Sequence, residues 1–125
     1  MPHFNKVILM GHLTRDPDLR FIQSGTPVAQ FGLAINRRRN GEGGPKEEVT
    51  FIEVVAWGRL AEICGEYLTK GAPILVEGRI QQDRWETEEG EHRSQLKVIA
   101  ETVRFLPWGR SREEEDDEEG TAVPI

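Results

Sequence analysis

The amino-acid sequence describes a small all-β barrel interrupted by one short helix, and three observations carry that reading. Short segments of alternating or wholly apolar character recur along the first 110 of 125 residues, separated by Gly, Pro, Asp and Ser turn signals. Only the stretch from Leu60 to Leu68 spaces its apolar residues as a helix does. The length, with 30% charged and 37% hydrophobic residues, fits one compact domain.

From Lys6 to Thr14 a strand is expected, with Val7, Leu9 and Leu13 on one side and Ile8 and Met10 on the other, which implies burial on both faces. Asp16-Pro17-Asp18 and Ser24-Gly25-Thr26-Pro27 are turn signals around a short strand, or strand continuation, at Leu19 to Ile22. Val28 to Arg38 reads as the second long strand, and Arg39 to Lys46 as a flexible Gly-rich loop. Val49 to Trp57 is the third. Gly58 breaks it, and Leu60, Ile63, Cys64, Tyr67 and Leu68 form one apolar helical stripe. Lys70 suits the negative end of that helix, with Gly71 as the left-handed stop before Pro73. Ile74 to Trp85 is the fourth strand, Glu86 to His92 a polar hairpin tip, and Arg93 to Leu106 the fifth strand. The order β-β-β-α-β-β is that of the OB-fold, a five-stranded Greek-key barrel that binds oligonucleotides on one face.

Composition narrows the function. No uninterrupted apolar run exceeds four residues, whereas a membrane helix needs about 20. The opening Met-Pro-His-Phe-Asn-Lys has no secretory pattern, so a cytoplasmic address and no membrane partner are expected. Cys64 is the only cysteine and the three histidines are scattered, so no disulfide or metal site is expected. The net charge of -6 belongs to the C-terminal end. Residues 1–110 hold 15 acidic and 15 basic side chains, and residues 111–125 carry seven acids against Arg112. Residues 1–110 are therefore expected to fold as the domain, and 111–125 to form a disordered acidic tail. That tail is either a solubilising extension or an interaction segment with Val123, Pro124 and Ile125 as an apolar plug.

Alternation along the strands picks out a binding face. At Ile52, Val54 and Ala56 the residues suit a barrel interior, while Phe51, Glu53, Val55 and Trp57 point the other way. In the fourth strand Ile74, Val76, Gly78 and Ile80 read as interior, opposite Glu77, Arg79, Asp83 and Trp85. Separated aromatics with interspersed Arg suit single strands, because every base has a π-face and Lys or Arg can track phosphates. The candidate stacking residues are Phe51, Trp57 and Trp85. The basic candidates are Lys6, Arg20, Arg37, Arg38, Arg39, Lys46, Arg59, Lys70, Arg79, Arg84 and Arg93.

Plainer roles compete. Trp57 could plug the barrel end, Phe51 could pack on a second subunit, and Arg37 to Arg39 could be a solvated loop base. Trp108 could cap the barrel or rest at an interface, and Phe4, Phe31 and Phe105 read as core. Gly41 to Lys46 lacks Walker spacing and a following Ser or Thr. Asp16 and Asp18 read as turn residues, and no nucleophile arrangement accompanies His3, His12 or His92. No catalytic residue, and so no enzyme, is expected.

Several stretches together resemble the bacterial single-stranded DNA-binding protein family. They are Asn5 to Leu9, Gly11 to Arg20, Ser24 to Ala29, Val54 to Leu68, Lys70-Gly71 and Val76 to Arg79. The resemblance implies an OB-fold assembling as a homotetramer that coats single-stranded DNA in replication, recombination and repair, in the nucleoid, without cofactor or catalysis. It places the stacking aromatics on Phe51, Trp57 and Trp85. It also implies recruitment of replication and repair proteins by the acidic tail tip, here Asp116, Asp117, Glu118, Glu119, Val123, Pro124 and Ile125. Three departures stand out. A stacking tryptophan of many members is replaced within Arg37 to Arg39, Ile52 stands where many members have an interface histidine, and the tail lacks a long linker and ends in Val-Pro-Ile rather than Ile-Pro-Phe. The short linker motivates a second reading, an OB-fold adaptor of a primosome-like assembly in which DNA contact is secondary.

Overall fold

The structure is a computed structural model and describes residues 1–107; Trp108 and the tail lie outside the described residues. In chain order the elements are β1 (Val7–Leu13), β2 (Asp18–Phe21), β3 (Pro27–Gly41), β4 (Gly44–Trp57), α1 (Arg59–Tyr67), β5 (Pro73–Glu86) and β6 (His92–Phe105). The sheet runs β1-β5-β6-β4-β3-β2, and a further pairing of His12 with Ala34 and Leu13 with Leu33 joins β1 to β3. That pairing closes a five-stranded ring, with β2 attached to β3 outside it. The contact between β4 and β6 is parallel, over Glu53–Val55 and Lys97–Ile99, and the other pairings are antiparallel. This is the OB-fold, with its one helix between the third and fourth strands of the ring.

Closure sorts side chains by parity. Leu13, Ala29, Phe31, Leu33, Val54, Ala56, Ile74, Val76, Val98 and Ala100 fill the interior, and α1 and the turn after it plug one end with Ala61, Cys64, Leu68 and Ala72. Each fully buried Val, Leu, Ile or Phe contributes about 1.5–3 kcal/mol. Burial alone pushes the Cys64 thiol up to about 11.

Two glycines permit the close approaches that closure needs. A Cβ at Gly11 would lie 2.3 Å from the carbonyl oxygen of Ala34, where β1 crosses β3. At Gly78 it would lie 2.1 Å from the carbonyl oxygen of Ile99. There the register slips: Glu77 faces Thr102 and Gly78 faces Ala100, leaving Glu101 as the extra residue of a bulge that sharpens the bend.

Several expectations are corrected. The segment Arg39 to Lys46 is not a loop: Arg39 pairs with Lys46, Asn40 with Pro45 and Gly41 with Gly44, around a tight turn whose Gly43 has φ 89°. The Gly-rich composition serves that turn rather than a long excursion. β1 is not buried on both faces, because Ile8 and Met10 lie on the outside of the ring and are exposed. Ile80 is exposed too. It lies two residues beyond Gly78, the last β5 partner of β1, and there Asn5 replaces a strand by bonding both the N–H and the C=O of Ile80. Phe4 is 91% exposed, and Phe105 is half-exposed against Tyr67, with ring centroids 6.4 Å apart. Only Phe31 of the three expected core phenylalanines is interior. The helix ends at Tyr67, so Lys70 belongs to the following turn, where Asp16 accepts its backbone N–H at 2.7 Å; Gly71 does take the left-handed conformation expected before Pro73, with φ 89°, but in that turn rather than at the helix end.

Replacing Gly11 or Gly78 with Ala should destabilise the barrel by about 1–3 kcal/mol, because backbone rather than a side-chain tip must move. Urea unfolding of each variant measures it, and an unchanged midpoint would remove the residue from the closure argument.

Candidate nucleic-acid interface

On β4 the period of two sends Phe51, Glu53, Val55 and Trp57 to the outside of the ring. The β3 residues opposite them, Ala34, Gly32, Gln30 and Val28, include small ones beside Phe51 and Glu53. Few side chains stand tall enough to cover the rings, and Phe51 is 70% exposed and Trp57 46%. Val55 departs from its neighbours: it is buried between its register partners Gln30 and Ile99 and forms an apolar floor between the rings. Six residues of strand put Phe51 and Trp57 about 20 Å apart.

The hairpins of β3–β4 and β5–β6 both project past the ring at the end where β4 begins, because β4 and β6 run parallel at their contact. Parity carries the outer face along β6 from Lys97 through Gln95 to Arg93, and Trp85 pairs with Arg93. Trp85 therefore shares the outer face with Phe51 and Trp57, and it is 48% exposed. It borders an open concavity with Arg84, His92 and Arg93.

Apart from Arg20 on β2 and Lys46, which faces Arg39 on the β3–β4 hairpin, the predicted cations divide into three groups. Arg38, Arg79 and Arg93 share the ring face by register, and Lys6 reaches it through Glu77 at 3.7 Å. Arg37, Arg39 and Arg84 lie on the opposite face of the two hairpins. Arg59 and Lys70 sit at the α1 end, away from the hairpin tips. Many are already paired: Arg39 with Glu48 at 2.8 Å, Arg93 with Glu91 at 2.8 Å, Arg79 with Glu101 and Arg59 with Glu62 at 3.8 Å. Arg20 pairs with Asp18 at 3.0 Å, and Arg84 donates to Gln82 at 3.0 Å. Arg37, Arg38 and Lys46 make no ion pair among the described residues. These exposed pairs are worth little to stability and can be exchanged for other anions.

Two charge pairs on this face escaped the sequence reading. Arg15 donates to both carboxylate oxygens of Glu53, and that bond holds its guanidinium above the usual range. Lys97 lies 2.6 Å from Asp83, and its hydrogen bond, with one from Gln81, holds the Asp83 carboxyl below the usual range. The alternation placed both acids outward, but their partners are 38 and 14 residues away and no local pattern names them.

Residues 4–106 match the pattern of the Single-strand binding protein family. The chain belongs to that family. A single-stranded DNA-binding protein of Thermotoga maritima is 42% identical over 125 residues, covering 99% of this chain and 89% of its own length. One from Aquifex aeolicus is 44% identical over 122 residues, covering 97% and 82%. One from Wolinella succinogenes is 45% identical over 104 residues, and there this chain spans only 64% of the relative's length. Among solved structures, the Plasmodium falciparum SSB in complex with ssDNA superposes with a TM-score of 0.79 at 23% identity, over 86% of this chain and 98% of that one. That likeness shows the fold.

The Asp83 pair has a definite pH signature. The folded carboxyl titrates below its unfolded value, about 3.9, so its contribution is complete above that value and is lost as pH falls through the depressed folded pKa. Thermal melts should therefore show the wild type above Asp83→Asn near neutrality, with the gap closing in the acid range. A gap independent of pH would show that the carboxylate charge is not its source.

Proposed function

We propose that the chain binds single-stranded DNA without reading its sequence and without catalysis, protecting exposed strands during replication, recombination and repair. The observation that carries this reading is the outer strip of β4, where two exposed rings flank an apolar floor, with a third ring on the neighbouring hairpin. Bases would stack on Phe51, Trp57 and Trp85, and Lys6, Arg37, Arg38, Arg39, Arg59, Lys70, Arg79, Arg84 and Arg93 would supply cations for the phosphates. The names of the bacterial relatives and the strand held by the Plasmodium protein support the same partner.

Ile8 and Met10 form an exposed apolar row on β1, which supports burial against other copies of the chain in a homotetramer. Residues 1–110 act as the binding domain, and the acidic run with Val123, Pro124 and Ile125 recruits replication and repair proteins.

Titration with oligothymidylate should quench tryptophan fluorescence, and log affinity should fall with log salt by about 0.7 per phosphate neutralised. Trp57→Ala and Trp85→Ala should each weaken binding by about 1–3 kcal/mol while the melting temperature holds. Unquenched fluorescence, or a preference for duplex, would contradict the reading. Deleting residues 111–125 should abolish partner capture and keep DNA affinity; loss of DNA binding with the tail would favour the adaptor reading instead.

A further inference from the structure

Glu53 is out of place on a surface meant for a polyanion. It stands in the middle of the strip between Phe51 and Trp57, where a bare carboxylate would repel passing phosphates. The structure answers this charge with a residue from outside the strip. Arg15 follows β1, its side chain crosses β3, and both terminal nitrogens of its guanidinium face the Glu53 carboxylate. The crossing is built into the sheet at Gly32, the β3 residue paired with Glu53. A Cβ there would meet Thr14 Oγ1 at 2.3 Å and the Arg15 guanidinium at 3.0 Å, and the Thr14 N–H is anchored on the Gly32 carbonyl at 2.9 Å. A bare backbone thus forms the channel in which Arg15 lies. On the other side Glu53 is in register with Lys97, which engages Asp83. Charges of alternating sign, Arg15, Glu53, Lys97 and Asp83, therefore cross the outer face as a neutral belt.

We propose that Arg15 is a positioning residue for single-strand binding: lying across β3 at Gly32, it keeps Glu53 neutralised so that a phosphate backbone can cross the strip. Its contribution comes through Glu53 rather than from a phosphate contact of its own. This rests on the single-strand reading above.

The test is a cycle of Arg15→Ala, Glu53→Gln and the double variant in the full chain, titrated with oligothymidylate at several salt concentrations and with melts as the check on folding. Arg15→Ala should lose about fivefold in affinity at low salt, the factor for one unit-charge repulsion at about 4 Å in high dielectric. The loss should shrink as salt screens the exposed carboxylate. Glu53→Gln should bind at least as tightly as wild type, with a salt slope steeper by about 0.7 as Arg15 becomes available to phosphate. The double variant should return to wild-type affinity. A double variant as weak as Arg15→Ala would make Arg15 a direct phosphate ligand and overturn the proposal, as would an unaffected Arg15→Ala or a weakened Glu53→Gln. A wild-type chain indifferent to oligothymidylate would overturn the single-strand reading itself, before any variant was compared.

Discussion

Closure of the sheet at the β1–β3 contact is the constraint on which the rest of the molecule depends. Once His12 and Leu13 pair with Ala34 and Leu33, every ring strand has an inside and an outside, and a side chain's parity decides its environment. The contact requires a backbone approach that only Gly11 allows, and the bend at the β5–β6 side requires Gly78 and the bulge at Glu101. The inward half of β4 is then committed to packing, which leaves Phe51 and Trp57 of the outward half exposed. Because closure also ends at a definite level, the two hairpins that run past it are clasped by fewer strands than the ring. That is why Ile80 and Leu96, inward by parity, are nevertheless exposed.

Much of this was legible, and the reasons are physical. A half-buried strand must alternate, so Ile52, Val54 and Ala56 against Phe51 and Trp57 could be read directly, as could the five ring strands and the helix. The errors fall where burial depends on what lies across space rather than along the chain. Ile8, Met10 and Phe105 have core composition but outward or terminal positions, and Phe4 precedes the first strand. Arg39 to Lys46 has loop composition, yet a two-residue turn at Glu42 and Gly43 lets the flanking residues pair, and cross-strand contacts such as Arg39 with Glu48 support the ladder. At the candidate site the rings could be placed by type and parity, whereas the cations were visible by type alone, and register divides them between the two faces of the hairpins. Arg15 was not visible, because what identifies it is the gap over Gly32, a property of two adjoining strands.

The charge arrangement bears on how a domain with equal numbers of acids and bases could hold a polyanion. Most cations near the strip are engaged with a carboxylate, so a phosphate that recruits one must displace an acid already bound. Such an exchange returns little net Coulomb energy at exposed positions. The larger return comes from cations without a carboxylate partner, and on the β3–β4 hairpin these are Arg37 and Lys46 on one face of the ribbon and Arg38 on the other. Under the proposed function the hairpin then acts as a rail with a cation on each side, while the ring strip supplies stacking over a neutral floor. Stacking is a short-range contact and phosphate attraction is screened by salt, so separating them in space separates them in their response to ionic strength. Raising salt should weaken the hairpin's hold before that of the rings. A neutral belt beneath the rings is consistent with that division, because an uncompensated carboxylate there would tie the stacking surface to the same screening as the phosphate contacts.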